Sequence, residues 1–300
     1  MPNDLGVRTA ATPELDIAYV ETGPPDGWPV ILSHGFPYDV RAFDGATTIL
    51  ARQGARVIRP YARGFGPTRF RSEEAMRNGQ QAARGADILA LSDALDLAAP
   101  ILGGFDWGGN ASCVCAALWP DRLAGLVTYA GYDIIDLAGQ SEPADPTLER
   151  VAWYQHLFQT ERGRLGLTRH RRDIARMLWR EWSPEWAFTD ADFDQTAPSF
   201  ENPDFVDVVI HCYRWMFGRA AGDAALAPLE AMLSRKPNIQ LPAITLDGTL
   251  DPLKPGGTSD HAFRFCGRHE HKVVRAGHNL PQEAPEAFAD AILRVRDWSV

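Results

Sequence analysis

The chain has 300 residues, of which 45% are hydrophobic, and its formal net charge at pH 7 is −9. This length suffices for a full hydrophobic core and favours one catalytic unit with an insertion over two independent enzymes. The acidic balance argues against a nucleic-acid partner, because phosphate binding needs Lys and Arg clustered on one face. The N-terminal residues lack an export signal and no run of about 18 apolar residues occurs, so we expect a cytoplasmic protein without a membrane partner.

Strand-like and helix-like segments alternate in the first part of the chain. Predicted strands cover residues 16–21, 30–33, 56–59, 100–105 and 123–130, and predicted helices cover residues 38–52, 80–97 and 107–118. Such alternation indicates a mostly parallel sheet whose strands are joined by crossover helices. A Gly- and Pro-rich turn at residues 23–27 predicts that the first two strands form an antiparallel hairpin at the sheet edge.

The alternation stops at about residue 131. Residues 131–235 are mostly helical in pattern and contain five of the nine tryptophans, whereas strands at 239–247 and 271–275 and a helix at 285–298 follow. We therefore predict an α/β core domain of residues 1–130 and 237–300, interrupted by a helical cap domain at residues 131–236. Such an insertion would lie over the carboxyl ends of the strands, where these sheets bind ligands. The five tryptophans either line an apolar pocket there or form the core of the cap.

Four cysteines are present, among them Cys113 and Cys115 in a helical stretch of small residues. This arrangement suits reduced, buried thiols better than a disulfide framework. No companion Cys or His pair has the spacing of metal ligands, so we expect no bound metal. The basic residues in 162–172 are interrupted by Gly, Leu and Thr, which predicts a solvated helix or turn face.

Residues 104–108, Gly-Phe-Asp-Trp-Gly, follow a buried strand and open a helix of small residues. This context is typical of a nucleophile elbow, in which the middle residue occupies a strained turn between strand and helix. Side chains at the flanking positions would collide with neighbouring backbone, so glycine is needed there. An aspartate that only caps a helix would need none of these glycines. We therefore predict an α/β-hydrolase fold with Asp106 as the nucleophile.

A carboxylate nucleophile restricts the chemistry. Serine attacking an sp³ carbon would form an ether, which has no carbonyl group for water to attack. Asp106 attacking the same carbon forms an alkyl ester, and water then restores the carboxylate by attacking its carbonyl carbon. The N-terminus of the following helix favours the ionised carboxylate. The sequence thus predicts a hydrolase for a saturated carbon electrophile such as an epoxide.

The loop at residues 33–37, Ser-His-Gly-Phe-Pro, ends a predicted strand. In an elbow fold this loop supplies a backbone N–H that faces the nucleophile. We predict that the N–H groups of Phe36 and Trp107 stabilise the oxyanion formed while water attacks the ester. His34 is an alternative base, although a His at a strand end usually binds loop backbone. The Phe36–Pro37 peptide bond is predicted to be cis.

The attacking water needs a general base, and His278 follows the last predicted strand next to a glycine. This position agrees with the order of nucleophile, acid and histidine that the fold uses. The acid that orients His278 is expected at an earlier strand end, where both Asp247 and Asp251 occur. We favour Asp251, because it lies past the glycine turn, whereas Asp247 ends the strand itself.

Five motifs carry a family resemblance: residues 34–37 (His-Gly-Phe-Pro), 63–66 (Arg-Gly-Phe-Gly), 106–109 (Asp-Trp-Gly-Gly), 248–251 (Gly-Thr-Leu-Asp) and 277–278 (Gly-His). With them the chain resembles the α/β-hydrolase epoxide hydrolases over nearly its whole length. The resemblance implies two cap tyrosines that protonate the oxygen of the opening ring, a task suited to a phenol with a pKa of about 10. Residues 153–159 and 211–215 resemble the segments that carry them, so Tyr154 and Tyr213 are the implied donors. The alternative for each is an aromatic residue that only packs in a helical cap.

The motifs are less specific between epoxide hydrolases and dehalogenases with an Asp nucleophile. Haloalkane dehalogenases have an Asn where this chain has Phe36, and fluoroacetate dehalogenases have arginines where it has Trp107 and Asn110. Some dehalogenase-like relatives carry the orienting acid at the position of Asp133. The chain also departs from epoxide hydrolases, since Phe105 replaces the histidine that most often precedes the nucleophile.

Together these patterns predict an epoxide hydrolase without a cofactor, which converts an apolar epoxide to a vicinal diol through a covalent aspartyl ester. A haloalkane or haloacetate dehalogenase using the same nucleophile is the first alternative. The second is a catalytically silent homologue that binds a small molecule, although such a receptor has no chemical need for His278. The expected partner is a small-molecule substrate, and the protein is expected to be a monomer or a homodimer.

Overall fold

The computed structural model describes residues 5–299 of the chain. The strands in this range are β1 (Arg8–Ala11), β2 (Leu15–Thr22), β3 (Trp28–Ser33), β4 (Ala55–Pro60), β5 (Arg69–Phe70), β6 (Ile101–Gly104), β7 (Gly125–Tyr129), β8 (Ala243–Gly248) and β9 (His269–Val274). The α-helices are α1 (Asp44–Arg52), α2 (Gln81–Ala94), α3 (Trp107–Leu118), α4 (Pro146–Val151), α5 (Trp153–Leu157), α6 (Glu161–Trp182), α7 (Asp190–Thr196), α8 (Phe205–Met216), α9 (Ala227–Leu233), α10 (Leu280–Glu283) and α11 (Pro285–Ser299).

The strands form one sheet in the order β1-β2-β4-β3-β6-β7-β8-β9, with β5 paired to β2. From β4 to β9 along this order, neighbouring strands are parallel. By contrast, β1, β4 and β5 each run antiparallel to β2. Every residue of β6, β7 and β8 is buried, as expected for parallel strands that are covered by helices on both faces. The predicted fold class, an α/β protein with a mostly parallel sheet, is confirmed.

The hairpin predicted between the strands now called β2 and β3 is wrong. β4 lies between them, antiparallel to β2 with Tyr19 opposite Pro60 and parallel to β3. The turn from β2 to β3 crosses the start of β4, where a Cβ on Gly23 would lie 2.0 Å from the Ala55 carbonyl oxygen. A turn signal in the sequence predicts a change of chain direction. It does not show that a later strand, here β4, pairs between the two strands that the turn connects.

Other elements differ from the predictions at their ends. β8 starts at Ala243 and not at residue 239, because Pro242 has no N–H to donate to a neighbouring strand. Ile239 forms a single bridge to Phe265. The helix predicted at residues 38–52 begins as a short 3-10 turn before α1. β1 and β5, of four and two residues, are too short to show a periodic pattern and were not predicted.

Helices α4 to α9, which we call the inserted helices, lie between β7 and β8. The described residues of this interval, for which the sequence predicts a helical cap, form no strand. Polar contacts join α6 and the 3-10 turn between α7 and α8 to the loop after β3. The Trp179 indole N–H donates to the Pro37 carbonyl at 2.8 Å, and the Ser199 hydroxyl donates to Asp39 at 2.7 Å. The inserted helices are therefore held beside the carboxyl end of β3.

Three expectations drawn from composition concern the cysteines, the basic stretch and membrane spans. All four cysteines are free, and Cys113, Cys115 and Cys212 are buried, which confirms the prediction of thiols without a disulfide framework. None of the arginines in residues 162–172, on α6, is buried, as predicted for a solvated helix face. Within residues 5–299, no helix combines the length and the hydropathy needed to cross a bilayer.

Candidate active site

Asp106 lies on a sharp turn between the end of β6 and the start of α3. Its backbone has φ = +51° and ψ = −130°, a conformation that a residue other than glycine adopts only under strain. A Cβ on Gly104 would lie 2.4 Å from the Gly108 carbonyl oxygen, and a Cβ on Gly108 would lie 1.9 Å from that of Ser33, so both positions require glycine. The Asp106 side chain makes no capping hydrogen bond to α3. It is therefore presented by the turn and is not a helix cap.

The loop after β3 places a backbone donor against the Asp106 carboxylate. The Phe36 N–H donates to Asp106 Oδ1 at 2.7 Å. A Cβ on Gly35 would lie 2.1 Å from the same oxygen, so this approach requires glycine. Within residues 5–299, the N–H of Trp107, the second predicted donor, makes no hydrogen bond to this carboxylate. The Phe36–Pro37 peptide bond is cis, as predicted.

His278 connects Asp106 to Asp251. Its Nε2 lies 3.4 Å from Asp106 Oδ2, and its Nδ1 lies 2.8 Å from Asp251 Oδ2. Asp251 also accepts hydrogen bonds from the Tyr129 hydroxyl at 2.7 Å and from the Leu253 N–H at 2.8 Å. The structure thus brings together the three residues that the sequence predicts as nucleophile, base and orienting acid.

The buried charges of this relay shift its pKa values. Burial of His278 disfavours the imidazolium, but the negative charges of Asp251 and Asp106 outweigh burial and raise the pKa of His278 above its usual value. Burial likewise disfavours the Asp251 carboxylate, yet the positive charge of His278 and the hydrogen bond from Tyr129 hold the pKa of Asp251 below its usual value. The two carboxylates on either side of His278 therefore favour its imidazolium form.

The two alternative acids have other partners. Asp247 accepts hydrogen bonds from the N–H and the hydroxyl of Thr258, at 2.5 and 2.7 Å. Asp133 makes no hydrogen bond to His278 in the described part of the chain, and its carboxylate lies 3.9 Å from Lys254 Nζ. Asp251 is accordingly the acid whose position suits the orientation of His278.

His34, the alternative base, is occupied by loop backbone. Its Nε2 accepts the Ala62 N–H at 3.1 Å, and its Nδ1 lies 3.0 Å from the Gly35 carbonyl oxygen. Burial lowers the pKa of His34 to about 4, so the ring is neutral and its Nδ1–H donates to that carbonyl. Neither nitrogen of His34 is free to activate a water molecule.

A cavity of about 1060 Å³ includes Asp106 in its wall. Trp107, His278 and both tyrosines implied as proton donors, Tyr154 on α5 and Tyr213 on α8, also line it. The two phenol rings meet edge to face with their centroids 5.2 Å apart. Burial raises the pKa of both phenols, and the negative charge of Asp106 adds to the effect. Both tyrosines are therefore protonated at neutral pH.

The residue that follows Gly35 is Phe36, and not the Asn that haloalkane dehalogenases have at this position. The Phe36 ring centroid lies 6.1 Å from that of Tyr154 and 5.8 Å from that of Tyr213, so this ring packs against both phenols. Trp107 is the only tryptophan in the described wall of the cavity. The five tryptophans of residues 131–235 are absent from this described wall. Trp179, Trp182 and Trp215 are buried, whereas Trp153 and Trp186 are half-buried.

Two features of the site had no signal in the sequence. Tyr129, the last residue of β7, holds Asp251 by a hydrogen bond, but in the sequence it is one aromatic residue of a buried strand. Arg84 on α2 lines the cavity and donates to Asn110 Oδ1 at 2.7 Å. In the sequence Arg84 is one polar residue of a helix, and nothing in the pattern links it to Asn110.

Comparisons with known proteins agree with this geometry. A family model for the alpha/beta hydrolase fold matches residues 29–280. A solved structure from Klebsiella pneumoniae subsp. pneumoniae, provisionally named an epoxide hydrolase, is 40% identical with a TM-score of 0.95, over 98% of this chain and 100% of that one. Epoxide hydrolase B of Mycobacterium tuberculosis is 31% identical over 159 residues, which are 48% of this chain and 44% of that protein. A haloalkane dehalogenase of Mycobacterium marinum is 31% identical over 132 residues, which are 43% of this chain and 42% of that protein.

The extent of these matches differs. The chain spans less than half the length of the curated relatives that it matches, whereas it matches the whole of the Klebsiella structure. The resemblance to epoxide hydrolases that the motifs predict is confirmed by these similarities. Because the family model covers most of the chain and the sheet and elbow have the geometry described above, the chain belongs to the alpha/beta hydrolase fold family.

Proposed function

We propose that this protein is an epoxide hydrolase that converts an epoxide with an apolar body to a vicinal diol through an ester on Asp106. The observation that carries the proposal is that the Asp106 carboxylate and two protonated phenols, those of Tyr154 and Tyr213, line one cavity. A carboxylate is a suitable nucleophile for an sp³ carbon, and a phenol supplies the proton for the departing oxygen. The similarity to named epoxide hydrolases supports the same activity.

In the first half-reaction, an Asp106 oxygen attacks a ring carbon. The ring C–O bond breaks, and its electron pair remains on the departing oxygen, which takes the proton of Tyr154 or Tyr213. Ring opening produces an alkoxide, which is far more basic than an ordinary phenolate with a conjugate pKa of about 10. The resulting phenolate regains a proton from the His278 imidazolium, which becomes a neutral imidazole.

In the second half-reaction, water attacks the carbonyl carbon of the Asp106 ester while His278 accepts a proton from that water. Esterification removes the negative charge of Asp106, one of the two charges that raise the pKa of His278 in the free protein. The pKa of His278 therefore falls, and the imidazole becomes available as a base. The Phe36 N–H is placed to stabilise the oxyanion. The ester C–O bond then breaks, and the diol oxygen takes the remaining proton of the attacking water, which restores the Asp106 carboxylate.

The ester scheme predicts where oxygen from water goes. A single turnover of styrene oxide in ¹⁸O-labelled water, with the protein in excess, should place the label in Asp106 and leave the diol unlabelled. Mass spectrometry of the peptide that contains Asp106 measures the label, and the inactive Asp106→Ala variant is the control for exchange elsewhere. Label in the diol without label in Asp106 would contradict the ester and favour direct attack by water on the ring.

A haloalkane or haloacetate dehalogenase is the second candidate, supported by the similarity to a haloalkane dehalogenase. The same nucleophile would attack the carbon, but a departing halide is stabilised by N–H donors. The Phe36 side chain has no N–H, and its ring packs against Tyr154 and Tyr213. Because loss of one such donor typically costs about 100-fold in rate, we expect bromoalkanes and haloacetates to release halide at least about 100-fold more slowly than styrene oxide is opened. Halide release at an equal or higher rate would make the dehalogenase the better assignment.

A further inference from the structure

Arg84 is a buried cation in the wall of the same cavity as Asp106. Its residue surface is 4% exposed, and no carboxylate within residues 5–299 lies within 4.0 Å of its guanidinium. Buried charges in proteins are normally paired, because an unpaired charge loses its hydration without compensation. Two other buried arginines follow this rule: Arg63 binds Asp87 with Nε at 2.7 Å, and Arg59 pairs with Asp44. Arg84 is therefore an exception that needs a physical explanation.

The groups that hold Arg84 are neutral. Its Nη2 donates to Asn110 Oδ1 at 2.7 Å, its Nη1 donates to Cys212 Sγ at 3.4 Å, and the guanidinium lies 4.9 Å from the centroid of the Trp107 ring. Its Nε has no hydrogen-bond partner. These contacts fix the position of the guanidinium but leave its charge without a counter-charge in direct contact.

The carboxylates around Arg84 are engaged with other groups. Both oxygens of Asp87 accept hydrogen bonds from Arg63, at 2.7 and 2.8 Å. Asp133, which lines the same cavity, has Lys254 Nζ at 3.9 Å. The Asp106 carboxylate is bound by the Phe36 N–H and faces His278. None of these carboxylates is the direct partner of Arg84, so the cavity keeps a buried positive charge available to a ligand.

We propose that Arg84 binds an anionic group of the substrate, and that the preferred substrates are epoxides that carry a carboxylate close to the ring. This inference rests on the proposed function and names its substrate class. A guanidinium recognises a carboxylate with paired N–H donors, and the interaction is strongest where water is excluded. Arg84 lies over the ring of Trp107, the residue directly after Asp106, and all three side chains line one cavity. A substrate that fills this cavity can therefore place its carboxylate at Arg84 and its epoxide ring at Asp106. The phenyl or alkyl remainder of the substrate then contacts the aromatic wall.

The substrate preference can be measured with a matched pair of epoxides. We expect the wild-type protein to have a higher kcat/KM for trans-3-phenylglycidate than for styrene oxide. Arg84→Gln should lower kcat/KM for the glycidate by about 10- to 100-fold, the usual range for a hydrogen bond to a charged group, and should change the value for styrene oxide much less. Arg59→Gln is the matched control, because Arg59 is equally buried at 4% exposure but is paired and lies outside the described cavity wall. An equal loss on both epoxides, or no loss on the glycidate, would overturn the proposal.

A binding experiment separates this inference from the proposed function. trans-Cinnamate has the carboxylate and the phenyl ring of the glycidate but no epoxide, so calorimetric titration with cinnamate tests the anion site without turnover. Wild-type protein and Arg59→Gln should bind cinnamate, and Arg84→Gln should bind it at least about 10-fold more weakly. If neither epoxide is hydrolysed, the proposed function fails while this result still supports the anion site. Cinnamate binding that is absent in the wild type, or unchanged in Arg84→Gln, overturns the anion site whatever the activity.

A second variant keeps the test valid if Arg84→Gln does not fold. Asn110→Asp places a carboxylate where Asn110 Oδ1 now lies, 2.7 Å from Arg84 Nη2, and so supplies the missing counter-charge from within the protein. Its thermal unfolding midpoint shows whether it is native. A folded Asn110→Asp protein should bind cinnamate more weakly than the wild type, and unchanged affinity would contradict the role of the Arg84 charge.

Discussion

Replacing His278 with Gln should stop the reaction at the Asp106 ester, with steady-state turnover of styrene oxide lowered about 10⁴-fold. In the proposed scheme ring opening depends on the Asp106 carboxylate and the two phenols, whereas only ester hydrolysis needs a base for water. The variant should therefore consume about one equivalent of epoxide and then stall. The mass of the intact protein should increase by the mass of one substrate molecule, and the Asp106→Ala variant should show no such increase.

His269→Gln is the matched control for this experiment. His269 is the first residue of β9 and lies at the amino ends of the parallel strands, whereas Asp106 follows the carboxyl end of β6. The His269 ring is 3.0 Å from the Thr245 hydroxyl. Its replacement should leave both half-reactions unchanged. If His278→Gln loses turnover without gaining the mass of a substrate, His278 acts before the ester forms, and the order of steps proposed above is wrong.

The pH dependence of ester hydrolysis follows from the charges around His278. In the free protein Asp251 and Asp106 raise the pKa of His278, although burial opposes them. The ester lacks the Asp106 charge, so the pKa of His278 is lower in the ester than in the free protein. Only the neutral imidazole accepts a proton, and the decay rate of the ester should therefore rise with pH through this lower pKa and then level off. Asp251→Asn should move the rise to still lower pH, because it removes the remaining negative charge, and should lower the plateau.

Removing the hydroxyls of both Tyr154 and Tyr213 should slow the first half-reaction, in which the Asp106 ester forms. The double variant Tyr154→Phe with Tyr213→Phe should lower the rate of ester formation from styrene oxide by about 10³- to 10⁴-fold, since no acid then protonates the departing oxygen. Each single variant should lose less, because the second phenol lines the same cavity. Phe keeps the edge-to-face packing of the two rings and their contacts with Phe36. Quenched-flow measurement of the protein mass gives the rate of ester formation directly.

Two controls separate the loss of a proton donor from a change in the shape of the cavity. One is a variant of a buried tyrosine outside the cavity, and the other is a substrate whose leaving group needs no proton. Tyr19→Phe, in β2, should leave ester formation unchanged. A bromoalkane that forms the same kind of ester releases bromide, which needs no proton, so any bromide release should survive in the double variant. Equal losses with the epoxide and the bromoalkane would show that the two tyrosines only shape the cavity.

Local sterics explain why the elbow was predictable from the sequence. The glycines at 104 and 108 are needed because a Cβ at either position would meet backbone within 2.5 Å, and this demand appears in the sequence as a short motif. The approach of Phe36 to Asp106 depends in the same way on Gly35. His278 was found from its place after the last strand, since parallel strands end at one edge of the sheet.

Pairing between distant segments explains the errors. The hairpin predicted for β2 and β3 failed because β4, which follows a helix, takes the place between them. The role of the tryptophans in the predicted cap was open, because both the core of a helical layer and the wall of an apolar pocket are built from the same apolar residues. In the structure none of these tryptophans is in the described cavity wall, which combines Trp107 with tyrosines, aliphatic side chains and polar residues.

The sequence by itself determined the alternation of strands and helices, the elbow that carries Asp106 and the position of His278. Each of these follows from the periodic burial of short segments or from a steric demand for glycine. Only the tertiary structure decided that Asp251 and not Asp247 binds His278, that two tyrosines from separate helices line one cavity, and that Arg84 reaches its wall. The physical reason is that these relations depend on how remote elements pack, and no residue pattern within a single segment records that packing.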